Sequence, residues 1–543
     1  MTERLYLYDT TLRDGAQTEG VDFTGADKRA VAKLLDELGV DYVEGGFPGA
    51  NEVDTELFDR PPELTNARLT AFGMTRRAGR STANDPGLQG TLAARCGAVC
   101  LVAKSWDFHV EVALQTSLRE NLASITASVA AIVATGREAM IDCEHFFDGY
   151  RANPEYALAC AQAAYDAGAR WIVLCDTNGG TLPDEIASTV TAVTQVIPGA
   201  RLGIHAHNDT EHAVANSLAA VRAGVRQVQG TLNGLGERCG NASLTTLIPI
   251  LILKEPYASQ FTTNVGAERC KMLVAASRRL DDILNLNPTK QAAFVGPSAF
   301  ATKAGIHASA LVKDPQTYEH VPPESVGNAR RVMVGDQAGR SNILTALKAT
   351  GLEAVADKAG VDRLFEVIKA REALGYAYES APASFELLAR RTLGRVPEFF
   401  TVESFRVMVE KRHNALGEQV TATEASVKLR LAGEETPIWS VAEGNGPVNA
   451  LDQALRKDLG RFQGFITPVE LVDYRVRILD SGTTAVTRVL IESRDTSTGE
   501  SWLTVGVSAN IVDASFEALV DSVTYKLMRD VEDADGRSHT RAA

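Results

Sequence analysis

Leu5-Tyr6-Leu7-Tyr8-Asp9 runs into Thr10-Thr11-Leu12-Arg13-Asp14-Gly15, and Arg201-Leu202-Gly203-Ile204 runs into His205-Ala206-His207-Asn208-Asp209. Each is a short, largely apolar strand that turns abruptly polar at its C-terminal end. Residues at i and i+2 of a strand point to one face, so His205 and His207 are aimed together. If the two strands belong to one closed parallel barrel as its first and seventh members, a single strand separates them, and both histidines face Asp14. Two imidazoles and a carboxylate at the C-terminal mouth of a barrel make a divalent-metal site.

The interval between these motifs supports the closed barrel. Strand-like runs recur near Leu5, Tyr42, Leu69, Val99, Ala139, Trp171, Leu202 and Val228, at spacings of roughly 25 to 40 residues. Stretches with helical period lie between them, among them Lys28 to Leu38 and Pro154 to Ala167. Eight such units ending near Gly234 predict an α/β fold, a (β/α)8 barrel of ordinary size. An open doubly wound sheet is the alternative, and it would separate the two motifs.

Beyond about residue 260 the pattern turns mainly helical up to Leu393. From Val396 to Arg529 the chain repeats itself at an offset of 64: Val441 falls over Val505, Val448 over Val512, Ala450 over Ala514, Ala454 over Ala518 and Leu455 over Leu519. Each copy reads as strands, a turn (Glu443-Gly444-Asn445-Gly446; Gly506-Val507-Ser508) and a helix, which predicts a duplicated α+β module. Free N–H groups at its helix starts suit a small carboxylate ligand; a dimerisation module without ligand is the other reading. The expected divisions are 1–265 for the barrel, 266–395 for helical linker subdomains, 396–530 for the duplicated module and 531–543 for a flexible tail.

Composition narrows the classes. A net charge of −14 over 543 residues argues against non-specific nucleic-acid binding, and requires a locally positive site for any anionic substrate. The seven cysteines include no C-x-x-C pair and several lie inside apolar strands, as reduced core residues of a cytoplasmic protein do. The N-terminus enters a strand directly, without a signal-peptide pattern. The most apolar stretch, Leu247 to Leu253, holds Pro249 and is too short to span a bilayer, so no membrane partner is expected.

At the mouth, Asp14, His205 and His207 supply three ligands and leave positions open for a chelating substrate such as a 2-oxo acid. Asn241, in Asn233-Gly234-Leu235-Gly236-Glu237-Arg238-Cys239-Gly240-Asn241, is placed to reach the same ion directly or through water. Arg13 can stabilise a developing alkoxide, with Glu44 holding its guanidinium in a fork-like pair. Glu144 and Thr177 end the fifth and sixth strands and face the same mouth. Leu101, at the end of the fourth strand, and Phe72 and Met74, around the third, are expected walls of the substrate pocket. His145, beside Phe146 and Phe147, reads as packing.

The motifs Asp9-Thr10-Thr11-Leu12-Arg13-Asp14-Gly15, His205-Ala206-His207-Asn208-Asp209 and Asn233-Gly234-Leu235-Gly236-Glu237-Arg238 resemble the α-isopropylmalate, homocitrate and citramalate synthase group of the DRE-TIM metallolyase superfamily. Glu44-Gly45-Gly46-Phe47-Pro48-Gly49-Ala50-Asn51, Lys303-Ala304-Gly305-Ile306-His307-Ala308-Ser309-Ala310 and Thr317-Tyr318-Glu319-His320-Val321 resemble its long citramalate synthase branch. The resemblance implies an acyltransferase that condenses acetyl-CoA with pyruvate by a Claisen-type step and hydrolyses the thioester. It implies a metal set of Asp14, His205, His207 and Asn241 holding Mg2+ or Mn2+, with Zn2+ the further option. Arg13 would polarise the ketone and Thr177 hold the carboxylate. Glu144 and His307 would handle protons with Tyr318 nearby, His307 being delivered by its own chain or by the other protomer of a homodimer. The duplicated module would be a regulatory amino-acid-binding domain with isoleucine as feedback inhibitor. A 2-isopropylmalate synthase, using 2-oxoisovalerate, is the alternative within the group. A hydroxyacyl-CoA lyase is the alternative outside it, although such lyases normally lack the duplicated module.

Overall fold

The computed structural model describes residues 2–332, 340–352, 357–394, 396–413, 419–479 and 485–534. Eight parallel strands close into a barrel: β1 (Tyr6–Asp9), β2 (Tyr42–Gly46), β3 (Arg68–Met74), β4 (Ala98–Lys104), β5 (Glu138–Glu144), β6 (Trp171–Asp176), β7 (Leu202–Ala206) and β8 (Gln227–Gly230). Closure is made by β1, which pairs with β2 on one side and with β8 on the other, Tyr8 opposite Gln229 and Asp9 opposite Gly230. All eight strands expected from the sequence are present.

Strand alternation sorts the buried side chains into two layers. Leu7, Val43, Val99, Leu101, Ile141, Ile172, Leu174, Ile204 and Val228 pack outward against the helices. Tyr8, Tyr42, Ala98, Cys100, Met140, Trp171, Val173 and Cys175 fill the barrel. The interior is therefore filled by side chains below the C-terminal mouth. Helix α1 (Gly25–Leu38) shows how the connections are fixed. Thr24 and Asp27 form a reciprocal capping box at its start, and Gly39, at φ 93°, ends it.

The first compact unit extends past the expected boundary at 265. The described chain separates into two compact units, one reaching Phe300 and taking in Glu319–Arg330, the other comprising Ala301–Tyr318 and the residues from Arg331 on. The physical reason is burial: helix α2 (Leu273–Ile283) puts Leu273, Val274, Ala276 and Leu280 into the barrel's outer core, where Phe294, Val295, Phe300, Val321 and Val326 join them.

In the second unit the duplication is explicit. Strands β9 (Phe400–His413), β10 (Gln419–Leu431) and β11 (Ile438–Gly444) form an antiparallel sheet followed by helix α4 (Pro447–Arg456), after a shorter helix α3 (Gly305–Lys313) earlier in the unit. Strands β12 (Val469–Ile478), β13 (Thr487–Asp495) and β14 (Ser501–Ser508) repeat the arrangement before helix α5 (Ile511–Ala534). Three of the five pairs aligned by the 64-residue offset are equivalent in packing, Ala450 and Ala514, Ala454 and Ala518, Leu455 and Leu519 all being buried in one shared core, whereas Val441 is exposed and its counterpart Val505 is buried in a separate cluster. Ala383 and Leu387 also belong to that core, so it begins before residue 396. Helix α5 runs to Ala534, into the expected tail, and residues 535–543 lie outside the described residues. All seven cysteines are free thiols and five are buried. Among the described residues no helix is long and apolar enough to cross a membrane.

Candidate metal centre

The first loop of the barrel is built around Asp9. Its carboxylate accepts the Thr11 N–H and O–H, both at 2.8 Å, and the Leu232 N–H at 3.2 Å. Thr11 Oγ1 accepts the same Leu232 N–H at 2.8 Å. The loop after β1 is thus tied to the loop after β8. Burial outweighs these hydrogen bonds and raises the Asp9 carboxyl to about 7.

This knot presents Asp14 to β7. His205 Nε2 lies 3.2 Å from Asp14 Oδ2 and 3.4 Å from His207 Nε2. One ligand atom from each of the three residues falls within 4.8 Å of the others, and all three side chains are buried. Asn241 bridges to the His207 backbone, and its side-chain N–H donates to the Leu235 carbonyl at 3.1 Å. Its Oδ1 is buried with no hydrogen-bond partner, as is Asp14 Oδ2. Orphaned buried acceptors beside two converging imidazole nitrogens are what a divalent cation satisfies. The donor set fits the ion implied by the sequence.

The second layer sets the chemistry of the first. His205 Nδ1 lies 2.9 Å from Gln229 Oε1, and Gln229 Nε2 donates to Asp142 Oδ1 at 3.2 Å. Because the Gln229 amide gives its N–H to the carboxylate, its oxygen faces His205. Nδ1 therefore carries the proton, and the Nε2 lone pair is left for a metal. His207 is held neutral chiefly by burial, which lowers it to about 3. Burial pushes Asp14 up, but the Arg13 guanidinium beside it outweighs this and keeps the carboxyl well below the usual range.

Arg13 is immobilised beside this centre. Its Nε donates to Glu44 at 2.7 Å, its Nη1 to Asp14 at 2.5 Å, and its Cζ lies 4.2 Å from the Phe72 ring centroid. Tyr8 O–H donates to the other Glu44 oxygen at 2.7 Å. Glu44 thus meets Arg13 through one oxygen and Tyr8 through the other, a single contact in place of the expected fork. A second acidic group, Glu44 with Cys100 and Asp142, sits deeper in the barrel. Its carboxylates are already engaged by Arg13, Tyr8 and Gln229, so it does not offer an open ion site.

Glu144 shares strand parity with Met140 and Asp142, which face the barrel interior, and forms an ion pair with Lys104 at the end of β4. Thr177 Oγ1 accepts the His145 N–H at 2.8 Å, leaving its own O–H to donate elsewhere. His145 has φ 55° and stands against His109, with ring centroids 4.2 Å apart, and against Asp148. His307 and Tyr318 lie together in the second unit, ring centroids 4.1 Å apart.

One expected wall is misplaced. Leu101 is fully buried in the outer layer between strands and helices, because its parity on β4 is that of Val99 and Ala103. Val102 carries the inward parity of Cys100 and Lys104, and it lies opposite Met74 on β3 and Asp142 on β5. Gln229, Asp142 and Lys104 were not singled out from the sequence. The signal for Gln229 was present in Gln227-Val228-Gln229, where two polar residues alternate in a strand that is otherwise core.

Residues 4–269 match the HMGL-like family, 294–374 the homocitrate synthase post-HMGL domain-like family and 379–527 the LeuA allosteric (dimerisation) domain. The chain is 46% identical to the (R)-citramalate synthase of Aquifex aeolicus, over 98% of this chain and 99% of that protein. It is 48% identical to the (R)-citramalate synthase of Streptomyces coelicolor, over 97% and 98%. It is 41% identical to that of Sulfolobus acidocaldarius, over 97% of both.

Proposed function

The chain belongs to the (R)-citramalate synthase family, and from that premise we propose how its residues condense acetyl-CoA with pyruvate and water to give (R)-citramalate and free CoA. It is an acyltransferase that turns an acyl donor into an alkyl group on transfer. The observation that carries the reading is the convergence of His205, His207 and Asp14 within reach of one ion, with Arg13 locked at their side.

A divalent ion, Mg2+ or Mn2+, held by Asp14, His205 and His207 with Asn241 supplies positive charge to the ketone and carboxylate oxygens of the oxo acid when bound. Arg13 directs its guanidinium at the ketone oxygen. Because Glu44, Asp14 and Phe72 fix its position in advance, no reorganisation is needed as the alkoxide develops. Thr177, whose hydroxyl oxygen is occupied by the His145 N–H, donates its proton to the substrate carboxylate. Glu144 and His307 divide the proton transfers. One removes a methyl proton of acetyl-CoA and the other serves hydrolysis of the citramalyl thioester, with Tyr318 orienting His307. Val102, Phe72 and Met74 bound the space beside the methyl of pyruvate. The duplicated module serves a homodimer and binds isoleucine as the feedback inhibitor of this cytoplasmic biosynthetic step.

The test is free CoA release from acetyl-CoA with Mg2+ or Mn2+ and pyruvate, 2-oxobutyrate, 2-oxoisovalerate or 2-oxoglutarate side by side. Pyruvate should be fastest by kcat/KM. A preference for 2-oxoisovalerate would replace the assigned substrate while leaving the condensation in place.

A further inference from the structure

An acyl-CoA carries several phosphate charges, and this protein has a net charge of −14, so the nucleotide must meet a local excess of cations. The loops that follow the eight strands can be read for one. They contain five arginines: Arg13, Arg76, Arg77, Arg80 and Arg238. Arg13 is consumed by Glu44 and Asp14, Arg76 by Glu120, and Arg238 by Asp209 and Glu237. Lys104, the cation at the end of β4, is paired with Glu144. Arg77 and Arg80 remain: both are exposed, and neither forms an ion pair with a carboxylate among the described residues.

Their neighbourhood keeps them so. Asp85 is close enough for both guanidinium groups to lower its carboxyl, but it is buried and its oxygens are taken by the N–H groups of Arg77, at 2.9 Å, and Leu88, at 3.0 Å. Arg80 makes only a 3.4 Å contact with the Asn84 carbonyl. The loop itself is held in place. The Arg76 N–H donates to Ser128 at 2.9 Å, and the Arg76 guanidinium reaches Glu120 at 2.8 Å and the Arg80 carbonyl at 2.8 Å. Two exposed guanidinium groups, without a carboxylate ion pair and carried on an anchored backbone, are available to an anion. The loop also begins at Thr75, directly after Met74, whose strand presents Phe72 to Arg13 at the reaction mouth.

We infer that Arg77 and Arg80 bind the phosphates of the acyl-CoA, at the rim of the barrel beside β3, while the pantetheine arm runs inward past Met74. The inference rests on the proposed use of acetyl-CoA. It adds which residues recognise the nucleotide end of that substrate, and it gives the otherwise unpaired charges of this loop a ligand.

The test is binding of coenzyme A, measured by titration calorimetry on the full chain at low and high salt, for wild type, R77Q/R80Q and R77K/R80K. Loss of two charge-assisted contacts should raise Kd at least about tenfold in R77Q/R80Q and flatten its salt dependence. R77K/R80K should recover part of the affinity, and thermal melts of all three should coincide. In turnover, the preference for acetyl-CoA over the truncated thioester acetyl-pantetheine should shrink by the same factor in R77Q/R80Q. Equal coenzyme A affinity in wild type and R77Q/R80Q, or no binding by wild type, overturns the inference. Coenzyme A binding that is weakened in R77Q/R80Q, in a wild type that does not condense, would support this site and count against the assigned reaction.

Discussion

Gln229 Oε1 lies 2.9 Å from His205 Nδ1 and turns that imidazole into a one-sided ligand. The relationship is enforced from behind, since Asp142 accepts the Gln229 N–H and so decides which end of the amide faces the histidine. Removing the amide by Gln229→Leu frees the ring to rotate and to change tautomer. Metal affinity should fall about 10- to 100-fold, as for other outer-layer partners of ligating histidines. Competition with a coloured chelator reads this directly, and unchanged affinity would remove Gln229 from the account.

Replacing His205 or His207 by Ala should remove most condensation activity while the far-ultraviolet circular dichroism stays that of a barrel. If either variant turns over at the wild-type rate, the ligand set is wrongly chosen.

Arg13→Lys keeps a positive charge but loses the planar fork that holds Glu44 and Asp14 at once. The expected loss is about 10²- to 10³-fold in kcat, comparable with removal of an oxyanion donor, with a smaller effect on KM for pyruvate. A change confined to KM would mean that Arg13 only binds substrate.

Asp9 gives a pH signature. Its folded carboxyl titrates at about 7, against roughly 4 for an unperturbed aspartate. Between those values the folded chain keeps a proton that the unfolded chain has released, so this group lowers stability as pH rises through that window. Asp9→Asn cannot ionise. Its melting temperature should fall less than that of wild type between pH 4 and 7, in matched thermal scans. Parallel curves would show that Asp9 is already ionised at the low end of the range.

Leu101→Ala and Val102→Ala separate stability from selectivity. Leu101 is fully buried in the outer layer, and its truncation should cost about 2–5 kcal/mol of unfolding free energy with little change in the ratio of oxo acids used. Val102→Ala should instead relax the preference for pyruvate over 2-oxobutyrate, by a factor within the 10- to 200-fold that one methylene can provide. Denaturant unfolding and competition assays distinguish the two, and a selectivity change in Leu101→Ala would restore it to the pocket.

The exchange of Leu101 for Val102 shows where sequence reading stops. Strand β4 reads Ala98-Val99-Cys100-Leu101-Val102-Ala103 before its final Lys104, six apolar positions in a row, because a barrel strand is covered on both faces. Such a run announces a strand without saying which alternate side chains face inward. The His205-Ala206-His207 strand end carries its own parity, and so the convergence of its two imidazoles was legible in the sequence. The extension of the first compact unit past residue 265 was hidden for a related reason. Helix α2 is amphipathic, and amphipathicity does not name the surface that the apolar stripe covers, which here is the outside of the barrel. Gln229 went unnoticed because a neutral polar residue inside a strand acquires meaning only through a neighbour, and its neighbours come from β5 and β7.

The Asp9–Thr11–Leu232 knot has a consequence for biosynthesis. It joins the barrel's opening loop to its last, and Asp14 sits in the opening loop while Asn241 lies in the last. A nascent chain still on the ribosome therefore holds no complete set of donors until more than two hundred residues have emerged and the two ends have met. Ion uptake during refolding, followed in stopped flow, would then time the moment at which the cylinder seals.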